Sequence, residues 1–298
     1  MGNLDYRGLA VLDAVVTTGS FDKAALALGI SQSAVSQRVK ALEDACGRLL
    51  IVRGMPSVPT GLGLRLVTHF RHVKLMEAAL DIDLGQPASL ADIALAVDAD
   101  SLASWFAQAL PALLTPPRCQ LALQQADAAL ALHLVREGAV FGCIAAEGDG
   151  PGETANGTSS TPLGLMRYVC AATPVFAGHW FGDGFSAEAV QLAPAVVGAQ
   201  NLLAAFVARE LGVTGAFPHH VMPSTQALLS CISGGLAYGL VPELLSTGPM
   251  MAGILVDLTP GKTYDLALNW HAWNIDTPYT QVLSEQVIGT ARRLLLQP

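Results

Sequence analysis

Four polar residues, Ser33, Ser36, Gln37 and Lys40, recur at a spacing that places them on one face of an α-helix, called here the polar face. Their side chains are short or flexible and form hydrogen bonds, so they can enter a nucleic-acid groove without steric exclusion. Serine and glutamine can pair with base edges. This face therefore favours contact with DNA, and an ordinary solvated helix face is the alternative.

Two amphipathic segments position these residues. The segment 21–28 carries apolar residues at i, i+3, i+4 and i+7, which predicts a helix with Ser20 as its N-cap and Gly29 at its end. Ser31 is expected to cap a second helix, whose apolar stripe lies opposite the polar face and consists of Val35, Val39, Leu42 and Cys46. Two short helices joined by a glycine turn are typical of a helix-turn-helix.

The residues on either side complete a small winged domain. Residues 4–16 predict a preceding helix, residues 49–52 a short strand, and residues 53–59, with two prolines, the turn of a wing. Arg53 is then placed to reach phosphate or the minor groove. The predicted DNA-binding residues are Ser31, Gln32, Ser33, Ser36, Gln37, Arg38, Lys40 and Arg53.

A long helix is predicted from Thr60, its N-cap, to about Leu84. Its apolar residues form a stripe too narrow and too long for a globular core, and such a stripe suits a partner helix. The simplest partner is the same helix of a second subunit, which predicts a homodimer, and pairing through the lobes beyond it would give a homotetramer. His69 and His72 lie three residues apart, but no third ligand is near, so no metal site is expected. The predicted seam is Leu62, Leu66, Phe70, Val73, Met76, Leu80 and Leu84.

The motifs SQSAVSQRVKALE, GRLLIVR and PTGLG closely resemble the N-terminal DNA-binding module of LysR-type transcriptional regulators, over about the first eighty-five residues. The resemblance implies an all-α winged helix-turn-helix, a linker helix that dimerises, and an α/β two-lobed effector-binding domain like the periplasmic binding proteins. The expected boundaries are 1–59 for the DNA-binding domain, 60–84 for the linker helix and 85–298 for the effector domain.

After a hinge-like stretch at 85–89, the pattern changes to alternating strands and helices. Strands at 93–97, 119–124 and 140–146, with helices at 102–114 and 128–137 between them, predict a parallel sheet with ligands at its carboxyl edge. A Gly-, Ser- and Thr-rich surface loop at 147–161 leads to a second α/β lobe. Its predicted extended segments are 168–172, 195–198, 219–222, 254–258 and 266–271, and its helices begin at Pro174, Leu202, Thr225 and Tyr279. Two lobes joined by two crossings form a cleft that closes on a small ligand.

Polar residues at the starts of predicted helices would line that cleft from both lobes. Carboxylates there could hold a ligand ammonium, while backbone N–H groups and hydroxyls would suit a ligand carboxylate. One pocket with both features describes recognition of an amino acid, and helix capping alone is the alternative. The predicted effector-binding residues are Asp98, Asp100, Ser101, Asp127, Ser224 and Thr225.

Five further segments, DADSLASWF, MRYVCAATPVF, DGFS, HHVMPST and NWHAW, are similar to the LysG/ArgP branch of LysR-type regulators. Members of that branch sense lysine and arginine and control a basic amino-acid exporter, so the resemblance implies a lysine- or arginine-like effector. Gln226 stands where the branch commonly has an acidic residue, which predicts rearranged acidic partners for a basic side chain.

Charge is divided unevenly along the chain. Residues 1–74 hold nine Lys/Arg and five Asp/Glu, while the remainder holds seven and nineteen, within a net charge of −8. A modestly basic head on an acidic body indicates a local DNA contact. No apolar run approaches the ~18–20 residues of a membrane span, and no basic and apolar leader opens the chain. A cytoplasmic protein without membrane contact is expected.

Neither the cysteines nor any catalytic motif indicates an enzyme. The five cysteines are scattered among apolar residues without C-x-x-C, as expected for buried reduced thiols, with a redox-sensing pair as the alternative. No H-E-x-x-H, G-x-S-x-G, P-loop or G-x-G-x-x-G is present, and no cofactor is expected. A stand-alone two-lobed binding protein is the remaining alternative, and it leaves residues 1–84 unexplained.

Overall fold

The structure is a computed structural model that describes residues 4–84, 91–114, 119–146 and 157–297. Its N-terminal part, called here the head (residues 4–59), consists of α1 (Tyr6–Thr18), α2 (Phe21–Leu28), α3 (Gln32–Cys46), β1 (Ile51–Val52) and β2 (Val58–Pro59). A long helix, α4 (Gly61–Asp83), joins the head to a two-lobed domain.

The helices of the helix-turn-helix begin and end at the predicted residues. Ser20 and Ser31 accept hydrogen bonds from the backbone N–H groups of Lys23 and Ala34, so both are N-caps. Gly29 ends α2 with φ of 63°, in the left-handed region that glycine adopts without strain. The predicted roles of these three residues are confirmed.

The apolar stripes of the head helices meet in one small core, which includes the predicted stripe of α3 and leaves the polar face outward. β1 and β2 pair antiparallel and form the predicted wing. Glu43 ties α3 to this wing, because its carboxylate accepts from the backbone N–H groups of Leu50 (2.8 Å) and Ile51 (3.3 Å). The wing is therefore held at a set position relative to α3.

Helix α4 belongs to two cores. The hydroxyl of Thr60 caps it by accepting from the Gly63 N–H at 3.1 Å. In its first half, Val67 and Phe70 are buried in the head core. In its second half, the residues that pack in the two-lobed domain are Leu75, Ala78 and Ala79.

The predicted seam is therefore wrong in its first half. Phe70 is only 8% exposed, because a head this small cannot close its core without α4. Leu62 and Leu66 pack against the same core. The part of the row that stays exposed is Met76 (48%), Leu80 (55%) and Leu84 (61%).

Lobe 1 is built on three parallel strands. β3 (Ala91–Val97) lies between β4 (Cys119–Gln125) and β5 (Gly142–Ala146), and α7 (Ala128–Arg136) connects β4 to β5. The single helix predicted at 102–114 is instead α5 (Ala99–Ser104), a 3₁₀ turn (Phe106–Ala109) and α6 (Pro111–Leu114). Pro111 has no N–H to donate to a preceding turn, so the chain starts a new helix there.

Lobe 2 alternates short helices and strands. Sequence patterns do not predict α9, β9 or α12, whereas α10 and α11 begin at the predicted residues. The elements of lobe 2 are α8 (Pro174–Trp180), α9 (Ala187–Leu192), β7 (Ala195–Val197), α10 (Leu202–Leu211), β8 (His219–Val221), α11 (Thr225–Ser233), β9 (Gly239–Pro242), α12 (Glu243–Met251) and β10 (Val256–Asp257).

Two long strands, β6 (Thr158–Ala172) and β11 (Tyr264–Trp273), join the lobes, and α13 (Pro278–Leu294) closes the chain. They pair antiparallel along the whole of β11. β11 also pairs with β5, and β6 also pairs with β9 and β10, so one seven-stranded sheet runs through both lobes. Six of its strands follow the order β10-β6-β11-β5-β3-β4, and the seventh, β9, pairs with β6 outside this order. The two predicted crossings are confirmed, but this sheet is parallel only at β4-β3-β5.

Part of the predicted loop at 147–161 is strand. Thr158 to Thr161 open β6 and pair with β11, a partner that lies about a hundred residues away and that local composition does not reveal. The remainder of that loop (147–156) and the predicted hinge at 85–89 lie outside the described residues.

Three of the five cysteines are buried as predicted, while of the two α4 histidines His69 is exposed and His72 is half-buried, its ring 4.6 Å from that of Trp273. The thiols of Cys119, Cys143 and Cys170 are buried, and burial raises the pKa of the Cys143 thiol to about 12. Cys46 and Cys231 are half-buried, and all five thiols are free. Across the described ranges there is no cluster of three metal-ligating side chains, and no helix is long and apolar enough to cross a membrane.

Replacing Phe70 by Ala tests its place in the head core. We expect the head to lose about 3–5 kcal/mol of unfolding free energy, because a buried aromatic ring leaves a cavity. Chemical denaturation followed by circular dichroism measures the change. Met55→Ala, at a fully exposed wing residue, is the control. Equal stability of the two variants would place Phe70 outside the core.

Candidate functional site

The polar face of α3 is open to solvent. Ser33, Gln37 and Lys40 are exposed and Ser36 is half-buried, where its hydroxyl accepts from the side-chain amide of Gln32 at 3.3 Å. Since the opposite stripe is buried in the head, the helix leaves its polar face to solvent. The amide and hydroxyl groups on it match the chemistry of base edges.

Cationic groups surround this face. Arg38 and Arg53 are exposed, and the guanidinium of Arg53 lies 5.1 Å from the centroid of the Phe21 ring, which connects the wing to α2. Within the described part of the chain, no carboxylate pairs with Arg38, Arg53 or Lys40. Ser31 has the additional structural role of capping α3.

A cavity of about 220 Å³, called here the interlobe cavity, lies between lobe 1 and lobe 2. Three carboxylates from lobe 1, those of Asp98, Asp100 and Asp127, line it. Ser224 and Thr225 line it from lobe 2. Among the described residues that form its wall there is no Lys, Arg or His. The cavity is therefore acidic, and the structure brings five of the six predicted effector residues to it.

Helix starts converge on the interlobe cavity, and their caps come from the predicted residues. Asp98 caps α5, Asp127 caps α7 and Ser224 caps α11, each through one side-chain oxygen that accepts from a backbone N–H. The alternative given by the sequence, that these residues cap helices, is therefore confirmed. It does not exclude ligand contact, since a carboxylate that caps through one oxygen keeps a second oxygen as an acceptor.

Asp100, in lobe 1, is hydrogen-bonded both to lobe 2 and to the crossing strand β6. Its carboxylate accepts from the hydroxyl of Tyr168 on β6 at 2.7 Å and from the hydroxyl of Thr225 on α11 at 2.5 Å. Burial and the charge of Asp100 raise the pKa of Tyr168, which keeps its hydroxyl a donor. Sequence reasoning missed Tyr168; a tyrosine within a buried strand was the available signal, because its hydroxyl needs a partner.

Asp98 is less well solvated than an ordinary carboxylate. Its Oδ1 accepts from the Ser101 N–H at 2.8 Å, while its Oδ2 is buried with no hydrogen-bond partner among the described residues. Burial raises the pKa of Asp98, and this effect outweighs the hydrogen bonds from Ser101, which lower it. A positive charge placed beside this carboxylate would lower its pKa again.

Ser101 does not reach the interlobe cavity, contrary to prediction. It is fully buried, and its hydroxyl accepts from the indole N–H of Trp105 at 3.2 Å. The first turn of α5 directs this side chain into the core of lobe 1. Gln226 also lies outside the wall, with an exposed side chain, so its identity does not set the charge of the cavity.

The rest of the wall is largely apolar. Its side chains come from strands and helices of both lobes, and no local pattern predicted their convergence. Such a surface suits an aliphatic stem. The larger apolar residues are Leu130, Val196, Val197, Leu202, Leu203, Met222, Leu228, Leu240, Leu266 and Leu268.

Comparison with known proteins adds three likenesses. Residues 6–64 match the bacterial regulatory helix-turn-helix protein, lysR family. The chain is 39% identical over 291 residues to the HTH-type transcriptional regulator ArgP of Pseudomonas aeruginosa strain UCBPP-PA14, covering 96% of each chain. The crystal structure of ArgP from Mycobacterium tuberculosis is 31% identical and superposes with a TM-score of 0.86, covering 99% of this chain and 100% of that one.

A ligand-bound structure is also similar. Full-length LysG from Corynebacterium glutamicum, solved with bound effector Arg, is 31% identical and gives a TM-score of 0.77. The superposition covers 99% of this chain and 100% of LysG.

Proposed function

The chain belongs to the ArgP/LysG branch of the LysR-type transcriptional regulators, and from that premise we propose that a cationic amino acid in the interlobe cavity controls its binding to operator DNA. The observation that carries the proposal is the set of three carboxylates in a cavity wall without described cations. LysG, a relative of similar architecture, has been solved with Arg as its effector. We assign no catalytic activity, because the relatives are regulators.

Electrostatics favours a positively charged side chain in the interlobe cavity. Opposite unit charges about 4 Å apart attract by about 4 kcal/mol at an effective dielectric of about 20, before the cost of desolvation. A neutral side chain of equal length gains none of this. The apolar wall accommodates the methylene stem of either ligand, so charge provides the discrimination.

We propose that the ligand enters between Asp100 and Thr225. A cationic group of the ligand takes the place of the Thr225 hydroxyl as the hydrogen-bond donor to the Asp100 carboxylate. Asp98 and Asp127 are further acceptors for the positive charges of the ligand. The Thr225 hydroxyl is then free to donate to the ligand carboxylate, together with Ser224 and the first backbone N–H groups of α11. Those N–H groups have no partner within the helix and carry its positive dipole end. Of the two hydroxyl residues predicted to hold the ligand carboxylate, Ser101 and Thr225, we keep only Thr225 in that role.

DNA contact is assigned to α3 and the wing. In a helix-turn-helix the second helix enters the major groove. We propose that Ser33, Ser36, Gln37 and Lys40 of the polar face read base edges there. The residues proposed to contact the backbone or the minor groove are Ser31, Gln32, Arg38 and Arg53.

Assembly is assigned to the exposed half of α4. Met76, Leu80 and Leu84, with the half-buried Val73, form an apolar row that a single subunit leaves largely exposed. The same row in a second subunit would cover it and set two heads side by side on DNA. We propose this symmetric dimer as the minimal regulator, with a linker helix at 60–84 between a head (1–59) and an effector domain (85–298).

Gln37→Ala tests the reading face. We expect a loss of about 1–3 kcal/mol of binding free energy at the cognate base pair, because a bidentate contact is removed. Fluorescence anisotropy with the DNA segment that the wild type protects in footprinting measures the loss. Gln226→Ala, an exposed glutamine in lobe 2, should bind as the wild type does. Unchanged operator affinity in a Ser36→Ala, Gln37→Ala double variant would contradict the assignment.

Leu80→Asp tests the dimer. A carboxylate buried without a partner is costly, so this variant should sediment as a smaller species while keeping its native circular dichroism. Val175→Asp, at an 84% exposed position of α8, should leave the assembly unchanged. A natively folded Leu80→Asp variant with wild-type stoichiometry would show that the subunits pair elsewhere.

Calorimetry with arginine, lysine and norleucine tests the effector. We expect the two cationic amino acids to bind the wild type more tightly than norleucine. Asp100→Asn should weaken them by about 1.5–3 kcal/mol, the usual contribution of a hydrogen bond to a charged group. Gln226→Ala is the control. The proposal fails if no cationic amino acid binds the wild type, or if Asp100→Asn binds them equally well.

A further inference from the structure

One arginine side chain connects the head to lobe 1. Arg71, near the middle of α4, donates from Nε to Oδ1 of Asp13 at 2.7 Å and from Nη2 to the hydroxyl of Thr17 at 3.0 Å, both on α1. Its Nη1 donates to the backbone carbonyl of Gly138, just beyond α7, at 3.3 Å. Because the guanidinium is a rigid planar fork, these three acceptors cannot move independently while the bonds persist.

A second contact holds α4 against the same end of α7. The hydroxyl of Thr68 donates to the backbone carbonyl of Glu137 at 2.8 Å. Gly138 has φ of 64°, and a Cβ built there would lie 2.2 Å from the Thr68 side chain. The approach of α4 to α7 therefore depends on a glycine at this position.

The opposite end of α7 lies at the interlobe cavity. Asp127 is both the N-cap of α7 and part of the cavity wall. The helix is only nine residues long, or about 14 Å at 1.5 Å per residue. Ala131 and Val135 bury its inner face in lobe 1. A short, well-packed helix moves as a unit, so a displacement at Asp127 reaches Glu137 and Gly138.

The space around Arg71 is otherwise poorly filled. A cleft of about 690 Å³ lies between the head, α4 and lobe 1, with Asp13, Thr17 and Arg71 on one side and the 138–141 segment on the other. Among the described residues, the side-chain hydrogen bonds from α4 to the end of α7 come from Thr68 and Arg71, and of these two Arg71 also reaches α1. The Arg71–Asp13 pair is itself only partly exposed, at 27% and 21%. Partial burial limits solvent screening and keeps the geometry of the pair defined.

We infer that Arg71 is a positioning residue that links the occupancy of the interlobe cavity, through α7, to the orientation of the head on DNA. The inference rests on the proposed effector site for the source of the signal. It assigns the transmission to residues that touch neither the ligand nor the DNA. The two states that the link would bias differ in the placement of α7 against α4, and each ligand shifts them only by its differential affinity.

Arg71→Lys is the direct test, because lysine keeps the charge opposite Asp13 but cannot span all three acceptors. Allosteric effectors typically change the affinity for a second ligand about 5- to 150-fold. The quantity compared is the operator affinity with arginine divided by that without it. We expect this ratio to differ strongly from one in the wild type and to be near one in Arg71→Lys. The affinity for arginine itself, measured by calorimetry, should be retained. Thr68→Val, which removes only the bond to Glu137, should shift the ratio in the same direction. Arg65→Lys, at an exposed position of the same helix, is the matched control.

A purely structural role for Arg71 predicts another result. Operator affinity would then fall equally with and without arginine, the ratio would stay at the wild-type value, and the inference would be overturned. Amide hydrogen exchange without any effector gives a second readout: Arg71→Lys should speed exchange in α1 and at residues 136–140 but not in α10. If arginine fails to bind the wild type, the proposed effector is wrong, and the exchange experiment then tests the mechanical connection between α1 and residues 136–140. Unchanged exchange at both segments in Arg71→Lys would overturn that connection and the inference with it.

Discussion

The antiparallel pairing of β6 with β11 is the constraint on which the two-lobed domain depends. It runs from Tyr168 and Tyr264 to Thr158 and Trp273, and each strand extends the sheet of a different lobe. Backbone hydrogen bonds in such a ladder fix the register, since a slip by one residue would turn every side chain to the other face. The same register carries Tyr168 to the wall of the interlobe cavity, where it meets Asp100. The place of the cavity thus follows from one strand pairing.

The chemistry of the cavity follows from how its carboxylates are satisfied. Asp98 and Asp127 each cap a helix with one carboxylate oxygen, and Asp100 accepts from two neutral hydroxyls. Neutral donors stabilise a carboxylate but leave its charge uncompensated, so these acids remain attractive to a cation. Burial raises the pKa of Asp98, with a smaller contribution from the charge of Asp100, and no cation among the described residues of the wall offsets either effect. A site that binds a cation reversibly needs acids of this kind, because a resident lysine or arginine would compete with the ligand.

In helix α4, a correctly identified apolar pattern led to a predicted dimer seam that is wrong in its first half. Its apolar spacing is continuous, yet Phe70 closes the head core while Leu80 stays exposed. Periodicity identifies the apolar side of a helix, but tertiary packing determines which element covers each turn. Serving two cores also makes α4 the mechanical link between them. Arg71 lies where the two halves meet, which is why its hydrogen bonds reach both α1 and Gly138, just beyond α7.

The sequence by itself determined the features that depend on neighbouring residues: the caps at Ser20 and Ser31, the turn at Gly29, the polar face of α3, and the helix-start positions of the five predicted effector residues that line the interlobe cavity. Capping and helical periodicity act over a few residues, so they can be read locally. Only the tertiary structure decided that Ser101 turns into the core, that Tyr168 and Thr225 share Asp100, and that α7 reaches α4. The last two outcomes depend on contacts between residues 68 to 125 positions apart, where packing and strand register, rather than local preference, set the geometry.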